Sequence, residues 1–201
     1  GPVIQEANLR SLAQGTTTDK VFELTKKLSS RVDTPLVYMT YLNVLFKYGY
    51  DKFLQNAKDA GISGVIVPDL PYEEKDELQS VAEKYDIDVI SLIAPTSEDR
   101  IKMIASDAKG FIYTVSSMGV TGMRNEIKTD LQSIVSHIKS VTDVPVAIGF
   151  GINKPQQAKE FSAYADGVIV GSAIVNIVAE HGKDAPEYVF DYVKSMKDAI
   201  R

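Results

Sequence analysis

The sequence has no cysteine, which excludes disulfides and thiolate metal sites. It has two histidines, His137 and His181, and so no histidine-rich metal centre. Positive charge is also scarce. Against 22 Lys and Arg stand 27 Asp and Glu, a net charge of −5, with a pI near 5.1. General attraction to nucleic acid or to an anionic membrane surface is therefore not expected. Long apolar runs are missing as well. The longest covers residues 167–179, too short to cross a bilayer and interrupted at Gly171-Ser172. No charged-then-apolar leader opens the sequence, and a cytoplasmic location is the expectation. There is no linker, low-complexity tract or tandem repeat. What is present is ordinary globular composition, 44% apolar and 24% charged over 201 residues, and a single domain over 1–201 is expected.

Short Val/Ile/Leu-rich runs alternate with amphipathic stretches. The runs are residues 36–41, 64–67, 88–93, 111–115, 144–150 and 167–170. They are continuously apolar rather than alternating, which suits strands buried on both faces. Between them, Leu78, Val81, Ala82 and Tyr85 recur at helical spacing. So do Ile101, Ile104, Ala105 and Ala108, then Leu131, Ile134, Val135 and Ile138, and finally Val189, Val193, Met196 and Ile200. Asp51, Ser97, Thr129 and Asn153 stand where helix N-caps are expected, Pro155 in a first turn, and Gly61 and Gly110 past helix ends. Successive runs start 23 to 33 residues apart, the rhythm of βα units on a parallel sheet.

Two glycine corners stand out. Gly149-Phe150-Gly151 closes the fifth run and Gly171-Ser172 the sixth, and the residues after Ser172 read as a short helix. Bare backbone lets amide N–H groups approach an anion, and a helix N-terminus adds its free N–H groups. Phosphate binding at this pair is the expectation. The longest interval holds residues 116–126, which lack a helical period and lead to a helix expected from Thr129. A glycine-flanked loop after a parallel strand reads as a lid.

Phosphate corners on the last two strands point to a (β/α)8 barrel, a TIM barrel. Such a barrel has eight strands and about 250 residues, whereas six runs are present here. The sequence also opens on helical material, residues 3–13 and 20–28, with no strand before it. The expectation is that only strands 3–8 and their helices lie in this span, the β1–α1–β2 segment being absent. Two open sheet edges would make the span poorly soluble or completed by another segment.

These features resemble the tryptophan synthase alpha subunit along essentially the whole length. Gly1-Pro2-Val3-Ile4-Gln5 is similar to the close of that family's acidic second loop, and Tyr41-Leu42-Asn43 to its Tyr-x-Asn after strand three. Pro68-Asp69-Leu70-Pro71 resembles the segment after strand four, and Gly119-Val120-Thr121-Gly122 the mobile loop after strand six. Gly149-Phe150-Gly151-Ile152 and Gly171-Ser172-Ala173-Ile174-Val175 are similar to the two phosphate turns.

The resemblance implies retro-aldol cleavage of indole-3-glycerol phosphate to indole and glyceraldehyde 3-phosphate. It implies no cofactor and no metal, and a beta subunit as partner. A general acid protonates the indole ring at C3, and a carboxylate takes or stabilises the indole N–H proton. The family's glutamate and aspartate for these steps correspond to positions before Gly1, so no residue here inherits a catalytic role. The span alone is expected to be inactive. By the same resemblance Gly122, Gly151, Gly171 and Ser172 bind phosphate. Tyr113, Phe150, Met39 and Ile66 line the substrate pocket, Thr121 belongs to the lid, and Asn43, Asp69 and Pro71 face the partner. The family's arginine two residues before the first glycine of the lid is replaced by Ser117.

Plainer readings stand beside these. Core packing also accounts for Tyr113. Asp69, at a strand end, suits a base in another phosphate-binding barrel, such as a sugar-phosphate isomerase or epimerase; without acid and base the chain also suits a non-catalytic binding scaffold. His137 reads as solvated, His181 as compensating a helix dipole, and the charged run 73–77 as the exposed first turns of a helix.

Overall fold

The computed structural model describes residues 1–115, 124–149 and 151–201, the side chains of 124–130 excepted. Two helices, α1 (Pro2–Ala13) and α2 (Thr18–Ser29), precede the first strand, β1 (Leu36–Met39). Then follow α3 (Leu42–Tyr48), α4 (Tyr50–Asp59), β2 (Ile62–Ile66), α5 (Lys75–Lys84), β3 (Asp88–Val89) and β4 (Ser91–Ile93). The second half runs α6 (Glu98–Ser106), β5 (Ile112–Thr114), α7 (Arg124–Lys139), β6 (Val146–Ile148), α8 (Pro155–Ser162), β7 (Gly167–Val168), α9 (Ser172–His181) and α10 (Ala185–Ala199).

All pairings are parallel and sequential. One sheet has the order β1-β2-β3 and the other β4-β5-β6-β7. The run 88–93, expected as one strand, is divided at Ile90. Its first part pairs with β2 and its second with β5, so this run joins the two sheets. Among the described residues β1 pairs only with β2 and β7 only with β6, which leaves an open arc of βα units.

Ladder register carries one face from strand to strand. Val37 lies opposite Gly64 and Met39 opposite Ile66; Leu92 lies opposite Tyr113, and Tyr113 opposite Ala147. This face is the inside of the arc. The other face packs on the helices in two clusters. Leu45, Leu54, Val65 and Leu78 anchor the first half. Ile93, Ile112, Ile148 and the helical stripes of α6 and α7 anchor the second. The stripe Leu131, Ile134, Val135 and Ile138 is buried as its spacing requires.

Several boundaries differ from the sequence expectation. Most apolar runs outlast their strands at the C-terminal end, where the chain leaves the ladder to form a corner. Helix α7 starts at Arg124, so residues 124–126 are helical and Thr129 lies inside the helix rather than at its cap. Its opening turns are polar, and a helix without an apolar stripe leaves no periodic signal. The α8 cap is Lys154, with Pro155 at the first position, one residue past Asn153. Asp51 sits in the first turn of α4 behind Gly49. Ser97 caps α6 as expected, its hydroxyl accepting from the Arg100 N–H.

Candidate functional site

The corners after β6 and β7 come together because their strands are neighbours. The Ile169 N–H donates to the Ile148 carbonyl at 2.8 Å, one step beyond the paired residues. Both corners therefore leave the same end of the sheet. Gly151 adopts φ +58°, a left-handed conformation that favours glycine. Among the described residues, a side chain at Gly151 or at Gly171 would meet nothing within 4 Å.

Gly171 is the N-cap of α9, and its carbonyl accepts from the Ile174 and Val175 N–H groups. The N–H groups of Ser172 and Ala173 precede the first intrahelical bond and have no acceptor in their own helix. Ser172 is exposed at this end. The site thus offers main-chain donors, a hydroxyl and the positive end of a ten-residue helix. The structure brings Gly151, Gly171 and Ser172 to adjacent corners. Gly122, Thr121 and Phe150 lie outside the described residues.

The first glycine of the Gly-Phe-Gly corner has a different reason from the one its sequence suggests. A Cβ on Gly149 would lie 2.6 Å from the Tyr113 Cζ and hydroxyl oxygen. The Gly149 N–H donates to the Thr114 carbonyl at 3.0 Å, which holds the corner against β5. A side chain at Gly149 is excluded by the Tyr113 ring that lies over it. Tyr113 is half-buried on the inner face, and desolvation pushes its phenol above the usual range. Met39 and Ile66 share the inner face; Met39 is exposed at the rim and Ile66 is buried. The tyrosine–glycine contact was not foreseen, and only the strand register exposes it.

Asp69 is not a free strand-end carboxylate. Its Oδ1 accepts from the Leu42 N–H at 2.9 Å, the first amide of α3. Asn43 and Pro71 are exposed on the same rim. The charged run 73–77 is not wholly solvated either. Lys75 is only 8% exposed, and its ammonium pairs with Asp107 and lies 4.5 Å from the Tyr72 ring centroid. Glu73 takes a bidentate contact from Arg100 at 2.5 and 3.1 Å. That hydrogen-bonded guanidinium holds the Glu73 carboxyl down to about 2.

His137 sits 3.5 Å from Glu98. His181 stacks on Tyr188 with 3.6 Å between ring centroids. Among the described residues there is no cluster of three His, Asp or Glu able to hold a metal, and no helix is long and apolar enough to cross a membrane.

A family model described as Tryptophan synthase alpha chain matches residues 1–201. The tryptophan synthase alpha chain of Lacticaseibacillus casei is 49% identical over 200 residues, covering 100% of this chain and 75% of that one. The Lactiplantibacillus plantarum protein of the same name is 46% identical, covering 100% and 76%. Among solved structures, tryptophan synthase subunit alpha from Campylobacter jejuni superposes with a TM-score of 0.89 at 37% identity, over 98% of this chain and 77% of that chain. A structure of the tryptophan synthase a2b2 complex from Pyrococcus furiosus gives 0.88 at 34% identity, over 98% and 81%.

Proposed function

Because this chain belongs to the tryptophan synthase alpha chain family, we propose that its two glycine corners hold the phosphate of indole-3-glycerol phosphate. The family's reaction is cleavage of that ester to indole and glyceraldehyde 3-phosphate, a carbon–carbon lyase step, with indole passed to the beta subunit. The fold is the corresponding part of a (β/α)8 barrel. One observation carries the phosphate reading: Gly151 and the opening of α9 stand on neighbouring strand ends, and no described residue lies within 4 Å of a side chain built at Gly151 or Gly171.

In this reading the main-chain N–H groups around Gly151, Gly171 and Ser172 neutralise the phosphate dianion, and Gly122 completes the cradle. The indole lies along the inner face, against Tyr113, Ile66 and Met39, with Phe150 closing the pocket and Thr121 on the lid. Retro-aldol cleavage breaks the bond between indole C3 and the glycerol chain, with a proton delivered to C3. Neither the acid nor the proton-accepting carboxylate is assigned to any of the 201 residues; this span binds the ester and leaves it uncleaved. Asp69, Asn43 and Pro71 lie on the beta-subunit side. The hydrogen bond from Leu42 commits the Asp69 carboxylate to structure, which weighs against its acting as base in a sugar-phosphate isomerase or epimerase.

The test is Gly151→Asp. A carboxylate placed in the cradle repels the dianion and strains a left-handed residue, and glyceraldehyde 3-phosphate binding by calorimetry should fall beyond detection. Unchanged affinity would refute the cradle.

A further inference from the structure

Helix α1 bridges the open side of the arc. Its C-terminal end belongs to the first half. The Gly15 N–H donates to the Leu12 carbonyl at 2.8 Å, the Ser11 hydroxyl to the Thr16 hydroxyl at 2.8 Å, and the Lys20 ammonium to the Gly15 carbonyl at 2.7 Å. These bonds tie α1 to the start of α2, whose Phe22 is buried in the first core. The body of α1 packs instead on α9, the helix that follows β7. α1 thus spans a gap that β1 and β7, among the described residues, leave unpaired.

Neither helix is firmly held by burial. Among the described residues none of α1 or α9 is buried. In α1, Val3 and Ala7 alone are half-buried, one turn apart on a single face. Its N-cap, Gly1, offers no side chain to the first turn, and no acidic residue there complements the dipole. A helix of 12 residues with so little burial is marginal in water, so its order comes from what it rests on. In α9, Ala173, Ile174, Val175 and Ile177 are half-buried, and its neighbours include α1 and α10. An anion held at the opening of α9 satisfies its free N–H groups and complements its dipole, which stabilises the helix.

We propose that α1 and α9 form a clasp that tightens when phosphate is bound. The dianion steadies α9, α9 steadies the face of α1 that carries Val3 and Ala7, and the open side of the arc is held more firmly over an occupied cradle. Val3 and Ala7 are positioning residues, acting through α9 and not on the ligand. This rests on the phosphate reading above. Coupling between sites is reciprocal, so a seated α1 tightens phosphate binding by the factor with which phosphate seats α1.

The experiment follows amide hydrogen exchange in the 201-residue chain with and without saturating glyceraldehyde 3-phosphate, and measures affinity by calorimetry. The ester should slow exchange across α1 about fivefold, the low end of coupling between sites, and leave α2 unchanged. Val3→Gln/Ala7→Gln keeps helix-forming residues and removes the apolar contact. It should bind the ester about fivefold more weakly, and its α1 should no longer respond. Leu9→Gln alters a side chain that is 61% exposed and should match the unmutated chain in both readouts. Ester binding with no slowing of α1 in the unmutated chain would overturn the inference. So would full affinity in the double variant with α1 exchange accelerated, or equal weakening by Leu9→Gln. An unmutated chain that fails to bind the ester would instead strike the phosphate reading, and this inference with it.

Discussion

The rim above β1 to β4 and the rim above β6 and β7 are built from different materials. On the first, side chains do the joining: Asp69 to α3 and Glu73 to Arg100. On the second, the described residues offer backbone and glycine, and none lies within 4 Å of a side chain built at Gly151 or Gly171. Crossed side-chain ties fix the shape of the first rim. Bare corners leave main-chain donors unobstructed on the second, as the proposed phosphate cradle requires. One parallel sheet carries both kinds of rim because each strand end is free to carry its own connector.

The contrast can be broken most severely at Gly149. Adding a methyl there meets the Tyr113 ring, and overpacking of this kind lowers stability by about 1–3 kcal/mol. In a Tyr113→Ala background the same Gly149→Ala change should have almost no effect, as a double-mutant cycle by chemical denaturation would show. An additive result would mean that the glycine is needed for its backbone and not for the ring.

Between α5 and α6, Asp107→Ala leaves the Lys75 ammonium nearly buried with no carboxylate. Asp107 is itself about half exposed, with 45% of its side chain accessible, so solvent screening tempers the loss to about 1–2 kcal/mol. Lys75→Met/Asp107→Ala should regain much of it in a thermal melt. If the single variant melts like the parent, the tie is ornamental.

The smallest effect belongs to Glu73. Its carboxyl is held at about 2 by Arg100 in the folded state, against an ordinary value of roughly 4.3 when unfolded. A depressed carboxylate contributes stability that is fully present above the unfolded value and is lost as pH falls toward about 2. Glu73→Gln should therefore flatten the acid limb of the stability curve between about pH 4.5 and 2 by removing a small contribution at neutral pH, so that the two proteins differ most near neutrality and converge as pH falls toward about 2. A parallel acid limb in both proteins would show that the exposed pair contributes nothing.

Much of the architecture was legible from pattern. The apolar runs, the stripe Leu131, Ile134, Val135 and Ile138, and the Ser97 cap are local statements, and the chain obeys them. Lys75 was hidden because a lysine inside a charged run looks solvated until Asp107 and Tyr72 arrive from elsewhere. The opening of α7 was hidden because its first turns carry no apolar period. The division of the run 88–93 at Ile90 was hidden because hydropathy does not record which neighbour a residue pairs with. Gly151 and Gly171-Ser172 carried a sequence signal, and the strand order places them on neighbouring corners; Tyr113 over Gly149 is made by register and carried none.

The order of residues alone settled the alternation of strands and helices, the parallel sense of the sheet and the presence of two glycine corners. These follow from periodicity and backbone freedom within a few residues. Only the folded chain decided what Asp69, Lys75 and Gly149 are for. Their partners lie 27, 32 and 36 positions away, and a contact across that distance exists only once neighbouring strands have set the register between them.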